Sequence, residues 1–71
     1  MKDLSIVLGE NIQLYRKRSG LTQCSLAREL GVTYQAISKW ERGRGTPDIS
    51  LLPRLARVFG CSIDDLFSYS A

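Results

Sequence analysis

The chain has no histidine and only two cysteines, Cys24 and Cys61, set far apart with no CxxC spacing. A zinc centre would need two further strong ligands, and one distant pair does not define a disulfide, so free thiols and no bound metal are expected. Cys61 reads as a small apolar core residue. Apolar runs are short, and none approaches the ~20 residues of a membrane span. Met1-Lys2-Asp3 followed by a mixed segment makes a poor signal peptide, so the expectation is a cytoplasmic protein without a membrane partner. Also missing are a glycine-rich phosphate loop of known form, carboxylates paired in a pocket, and enough chain to enclose a substrate. Those absences argue against an enzyme, and no catalytic residue, cofactor or small-molecule ligand is expected.

What is present suits one small globular domain. The 71 residues are 44% hydrophobic and 24% charged, which fits a folded domain and not a disordered tail. We take residues 1–71 as a single unit with its core at about 8–67. The net charge is only +3, but it is unevenly placed. From Arg16 to Arg44 there are seven cations against two acids, and the remainder carries three cations against five acids. The basic part is suited to a polyanion and the mildly acidic part to protein contacts. The plainer alternative is that Lys and Arg merely solvate surface helices.

The segment Thr22 to Gly43 organises the rest. Leu26, Ala27 and Leu30 recur at helical spacing behind Thr22, a capping residue type, and the run stops at Gly31. A second helix starts after Thr33 and sets Ile37 and Trp40 on one face. Its other face carries Tyr34, Gln35, Ser38 and Lys39, groups suited to a polar, anionic partner. Two short helices joined by a tight turn, with such a face on the second, form a helix-turn-helix whose second helix enters the DNA major groove.

The flanks read as helices too. Leu8, Ile12 and Tyr15 follow a helical stripe, with Glu10, Asn11, Lys17 and Arg18 toward water, Asp3 or Ser5 as the cap and Gly20 just past the end. Arg16 lies at the edge of that stripe and is placed to turn inward. RGRGTPDIS after Glu41 predicts a loop, where Arg42 and Arg44 can converge on a phosphate; the alternative is a flexible turn. Pro53 must sit in a first turn, which makes Ser50 the predicted cap and Leu51 the first helical residue. Leu52, Leu55, Ala56 and Phe59 form the inward stripe before Gly60. Ser62-Ile63-Asp64-Asp65 resembles a capping box opening a short helix with Ile63, Leu66 and Phe67, and the tail Ser68 to Ala71 is too short to fold alone. The predicted fold is all-α, a bundle of five helices. Its expected core also includes Val32 and Ile63, and Ala27 is expected where two backbones cross closely.

LGENIQLYRKRSGLTQCSLARELGVTYQAISKWERG, the PD after the loop and LARVFGCSIDDLF together resemble the phage repressor and Cro-type (XRE) helix-turn-helix family, over roughly Leu8 to Phe67. The resemblance implies a lambda-repressor-like five-helix bundle and roles by position. Gln23 matches a glutamine that braces the backbone and the reading side chains; with Ser38 from the outer face of the second helix and Arg42 and Arg44 from the loop, it is a candidate to contact or position phosphates. Thr33, Tyr34, Gln35 and Lys39 match positions that reach bases or nearby phosphates. Arg16 and Glu41 match a buried ion pair. Two departures stand out. Tyr34 replaces a smaller residue, and Ser25 replaces the usual glutamate, which is expected to leave the Thr22 capping box incomplete.

The chemistry agrees with the resemblance. Gln35 can bond both N6 and N7 of adenine, Tyr34 and Ala36 offer apolar edges to a thymine methyl, and Lys39 can reach a phosphate or a guanine edge. The expected function is a sequence-specific double-stranded DNA-binding transcriptional regulator, a repressor acting as a homodimer on a palindromic operator. Leu66, Phe67 and Tyr69 are the candidate dimer contact, although the same side chains alternatively close the monomer core. The competing class is a protein-interaction module on this scaffold, such as an antitoxin or anti-repressor; it would keep the core but has no need of Gln35, Lys39 and Arg44.

Overall fold

Asp3 opens the first helix. A computed structural model describes residues 2–69, and in it the Asp3 carboxylate accepts the Ser5 N–H at 2.7 Å and the Ser5 hydroxyl at 2.6 Å. These hydrogen bonds hold the Asp3 carboxyl below its ordinary range. They start α1 (Leu4–Arg18), followed by α2 (Gln23–Leu30), α3 (Tyr34–Glu41), a 3-10 turn (Ile49–Leu51), α4 (Leu52–Phe59) and α5 (Ile63–Leu66). No strand occurs among the described residues. Met1, Ser70 and Ala71 lie outside them, so the reading of the tail applies only to Ser68 and Tyr69.

The buried core gathers Leu8, Ile12, Leu26, Ala27, Leu30, Ile37, Trp40, Leu55 and Leu66. Tyr15 and Phe59 pack against it and stack on each other with ring centroids 5.7 Å apart. Two placements differ from the sequence reading. Val7 is buried although no stripe predicted it, and Ile63 is exposed, because a helix of a single turn can bury only one side and Leu66 takes it.

Glycine decides how closely α1 and α3 approach. A Cβ built on Gly9 would stand 2.0 Å from the Trp40 carbonyl oxygen, so only hydrogen fits between the two backbones. Gly43 follows α3 at φ +71° and lies against Ile6. Both contacts set the angle of α3 from behind.

The helical stripe of α1 points Asn11 toward water, yet it is only 6% exposed. Its amide donates to the carbonyls of Leu66 and Ser68, both at 2.8 Å. The last carbonyls of a helix lack internal partners, and Asn11 supplies one to the end of α5 from across the bundle.

The capping residues hold two further corrections. Ser25 completes the Thr22 box instead of breaking it: its hydroxyl oxygen accepts the Thr22 N–H at 2.8 Å, while the Thr22 hydroxyl oxygen accepts the Ser25 N–H at 3.0 Å. A serine oxygen serves as the acceptor that glutamate would have been. Ser50 is not the cap of α4. The Asp48 carboxylate accepts the Ser50 N–H at 3.1 Å and starts the 3-10 turn, so α4 begins at Leu52 with Pro53 in its first turn. The predicted box at Ser62 and Asp65 is present, with both reciprocal bonds at 3.0 Å.

Candidate nucleic-acid interface

The Thr33 side chain accepts the Ala36 N–H at 3.3 Å and starts α3 without using any group farther along its outer face. Ile37 and Trp40 anchor the inner face in the core. Tyr34, Gln35 and Lys39 are exposed, and Ser38 is half-buried. Ala36 is half-buried as well: it packs on the core and also lines the groove shared by Gln35 and Lys39.

Behind this helix sits the predicted ion pair. Arg16 Nε donates to Glu41 Oε2 at 2.6 Å and Arg16 Nη2 to Oε1 at 3.1 Å, a bidentate contact between α1 and the end of α3. Arg16 Nη1 donates to the Leu21 carbonyl at 2.8 Å. Gln23 Nε2 donates to Glu41 Oε1 at 3.1 Å, so this glutamine braces α3 through the carboxylate. The Glu41 side chain is 2% exposed, and among the described residues no buried side-chain nitrogen or oxygen lacks a partner. A charge so enclosed is tolerated because three donors face it.

The loop after α3 folds back on its last turn. Arg42 and Arg44 N–H groups both donate to the Lys39 carbonyl, at 3.2 and 2.9 Å, and Gly43 N–H to that of Trp40 at 3.0 Å. Arg42 Nε donates to the Ser38 carbonyl at 3.2 Å, which gives that arginine a helix-closing contact. Arg44 instead joins Thr33, Gln35, Lys39, Gly45 and Thr46 around an open groove of about 350 Å³. Two cations, a primary amide and two hydroxyls line it, together with Ala36 and Trp40. The amides of Gly45 and Thr46 donate to no backbone acceptor among the described residues. Nothing in the sequence singled out Gly45 and Thr46; their place follows from the fold-back on Lys39. Tyr34 does not line this groove.

The candidate dimer residues separate. Leu66 is 0% exposed and Phe67 packs on the core, so both close the monomer, and Leu66 offers no surface to a partner. Tyr69 is exposed, its hydroxyl donating to the Lys2 carbonyl at 3.4 Å. Cys24 is exposed and Cys61 half-buried, both free; burial and then the nearby Asp65 charge push the Cys61 thiol up from its ordinary value. Among the described residues no helix is long and apolar enough to cross a membrane, and no group of three potential metal ligands is found.

Two helices joined by a tight turn, the second held from behind by a glycine contact and a buried ion pair with amide and cationic groups in front, form a helix-turn-helix. A family model described as Helix-turn-helix matches residues 12–66. The chain belongs to this family, as a helix-turn-helix of the XRE type. It is 42% identical over 59 residues to the HTH-type transcriptional activator BcrR of Enterococcus faecalis, covering 83% of this chain and 29% of that protein. The chain thus spans under a third of that relative's length. Among solved structures, the hypothetical transcription factor NHTF from Neisseria superposes with a TM-score of 0.83 at 32% identity, over 93% of this chain and 76% of that one. Hydroxypropylphosphonic acid epoxidase from S. wedmorenis superposes with a TM-score of 0.85 at 29% identity, over 100% of this chain but only 38% of the epoxidase.

Proposed function

We propose that this chain is a sequence-specific double-stranded DNA-binding regulator that inserts α3 into the major groove and acts as a cytoplasmic transcriptional repressor. The observation that carries this reading is the exposed face of α3: Gln35 and Lys39 stand free of protein contacts that would hide them, on a helix whose rear is fixed by Arg16, Glu41 and Gln23. Gln35 reads adenine, while Lys39, Arg44 and the free loop amides grip phosphate. Thr33 and Tyr34 occupy the leading end of the helix, and Ser38 and Arg42 position the strand beside it.

Two copies bind a palindromic operator. Half-sites of such operators lie about 34 Å apart along the duplex. The molecule measures 32 × 24 × 22 Å, so two copies at that spacing can meet side by side. Selection from a random duplex library tests the reading: it yields a symmetric motif with two copies bound per duplex. An enriched motif without symmetry, bound by one copy, would contradict the dimer, and no enrichment would contradict the DNA-reading role. Repression itself is read from a reporter whose promoter overlaps the selected site, where expression falls when the chain is supplied.

A further inference from the structure

The outward side of α3 carries one large apolar group that amide and phosphate chemistry leaves unused. Tyr34 is the first residue of the helix and stands 50% exposed. It lies apart from the groove that Gln35, Lys39 and Arg44 line. Ile37 and Trp40 are buried and Ala36 is a half-buried methyl within that groove, so Tyr34 is the large apolar side chain of α3 that a duplex can meet. In the major groove the base edges are donors and acceptors, with one exception, the C5-methyl group of thymine. Covering an acceptor such as guanine O6 with an aromatic ring would desolvate it without return, whereas covering a methyl is favourable. A methyl on cytosine C5 occupies the same place in the groove.

We infer that Tyr34 reads a C5-methyl group, so that the chain separates thymine from uracil, and 5-methylcytosine from cytosine, at one position of each half-site. This rests on α3 being the reading helix. The test starts from a duplex selected by the wild-type chain and replaces its thymines singly with uracil, which removes the methyl and nothing else. At one thymine per half-site, wild-type affinity falls about fourfold, the burial of one methyl, and the Tyr34→Ala variant shows no such difference. A duplex with cytosine at that position gains by a similar factor on C5 methylation, again only with the ring present. Tyr34→Phe keeps the effect. Loss of affinity in Tyr34→Phe equal to that in Tyr34→Ala assigns the side chain to a phosphate through its hydroxyl and overturns the inference, as does a uracil series with no Tyr34-dependent position. Those outcomes leave an enriched motif intact; failure to enrich any sequence removes the DNA-reading function along with it.

Discussion

Arg16 shows most directly how one residue holds the interface. Removing one partner of a buried pair strands the other charge and costs about 3–5 kcal/mol. Arg16→Met therefore lowers the melting temperature by well over ~10 °C, since each kcal/mol moves a domain of this size by roughly 4–8 °C. A melting temperature within a few degrees of wild type would mean that Glu41 is solvated. Gly9→Ala sets two effects against each other. Alanine favours the helix by about 1 kcal/mol, but its methyl would stand 2.0 Å from the Trp40 carbonyl oxygen, and overpacking costs about 1–3 kcal/mol or more. The clash wins because the neighbour is backbone, and thermal unfolding is expected to show a net loss; a stabilised variant would contradict the close crossing.

At the scale of elements, α1 and the 3-10 turn start on carboxylate caps, whereas α2, α3 and α5 start on hydroxyls. Hydrogen bonds from Ser5 and Ser50 hold the carboxyls of Asp3 and Asp48 below their ordinary range. A lowered folded-state value means the unfolded chain binds protons more readily, so this contribution is full above the unfolded value and is lost as pH falls through the folded one. Stability attributable to these caps is thus flat above about pH 5 and declines below about pH 4. Asn caps helices without titrating, so urea titrations of a variant with Asp3→Asn and Asp48→Asn give a shallower decline below pH 4 than wild type. Parallel declines would contradict the capping account. The loop is tested by Arg44→Ala, which weakens binding to every duplex alike and lowers the salt slope by about 1.

Local signals made most of these elements legible. Thr22, Thr33 and Ser62 announced their helices because a cap and its partner lie within three residues. The start of α4 is not legible in the sequence, because Asp48 caps a 3-10 turn that shares its signals with an α-helix. Asn11 was unreadable for a different reason: its acceptors lie 55 and 57 residues away. Gly9 weakens a helix interior by its own propensity, and only the contact with Trp40 reveals why it is glycine. At the interface, Gln35 and Lys39 were readable from helical phase, whereas Gly45 and Thr46 enter only through the return of the loop onto α3.

For the whole molecule, the fold divides labour between a rigid rear and an exchangeable front. Gly9, Arg16, Glu41 and Gln23 fix the angle of α3, and the side chains on its outer face are free to vary without disturbing the core. With Leu66 inside the monomer, the proposed pairing of two copies would use surface outside the core, and sedimentation with and without the selected duplex measures it; a chain that stays monomeric on a symmetric site would contradict pairing. The central claim is that Gln35 reads a base while the frame behind it stays unchanged. Titration of wild type and Gln35→Ala against the selected and a scrambled duplex tests it most directly. The account predicts that the variant loses about 1–3 kcal/mol on the selected duplex and almost nothing on the scrambled one; an equal loss on both would contradict it.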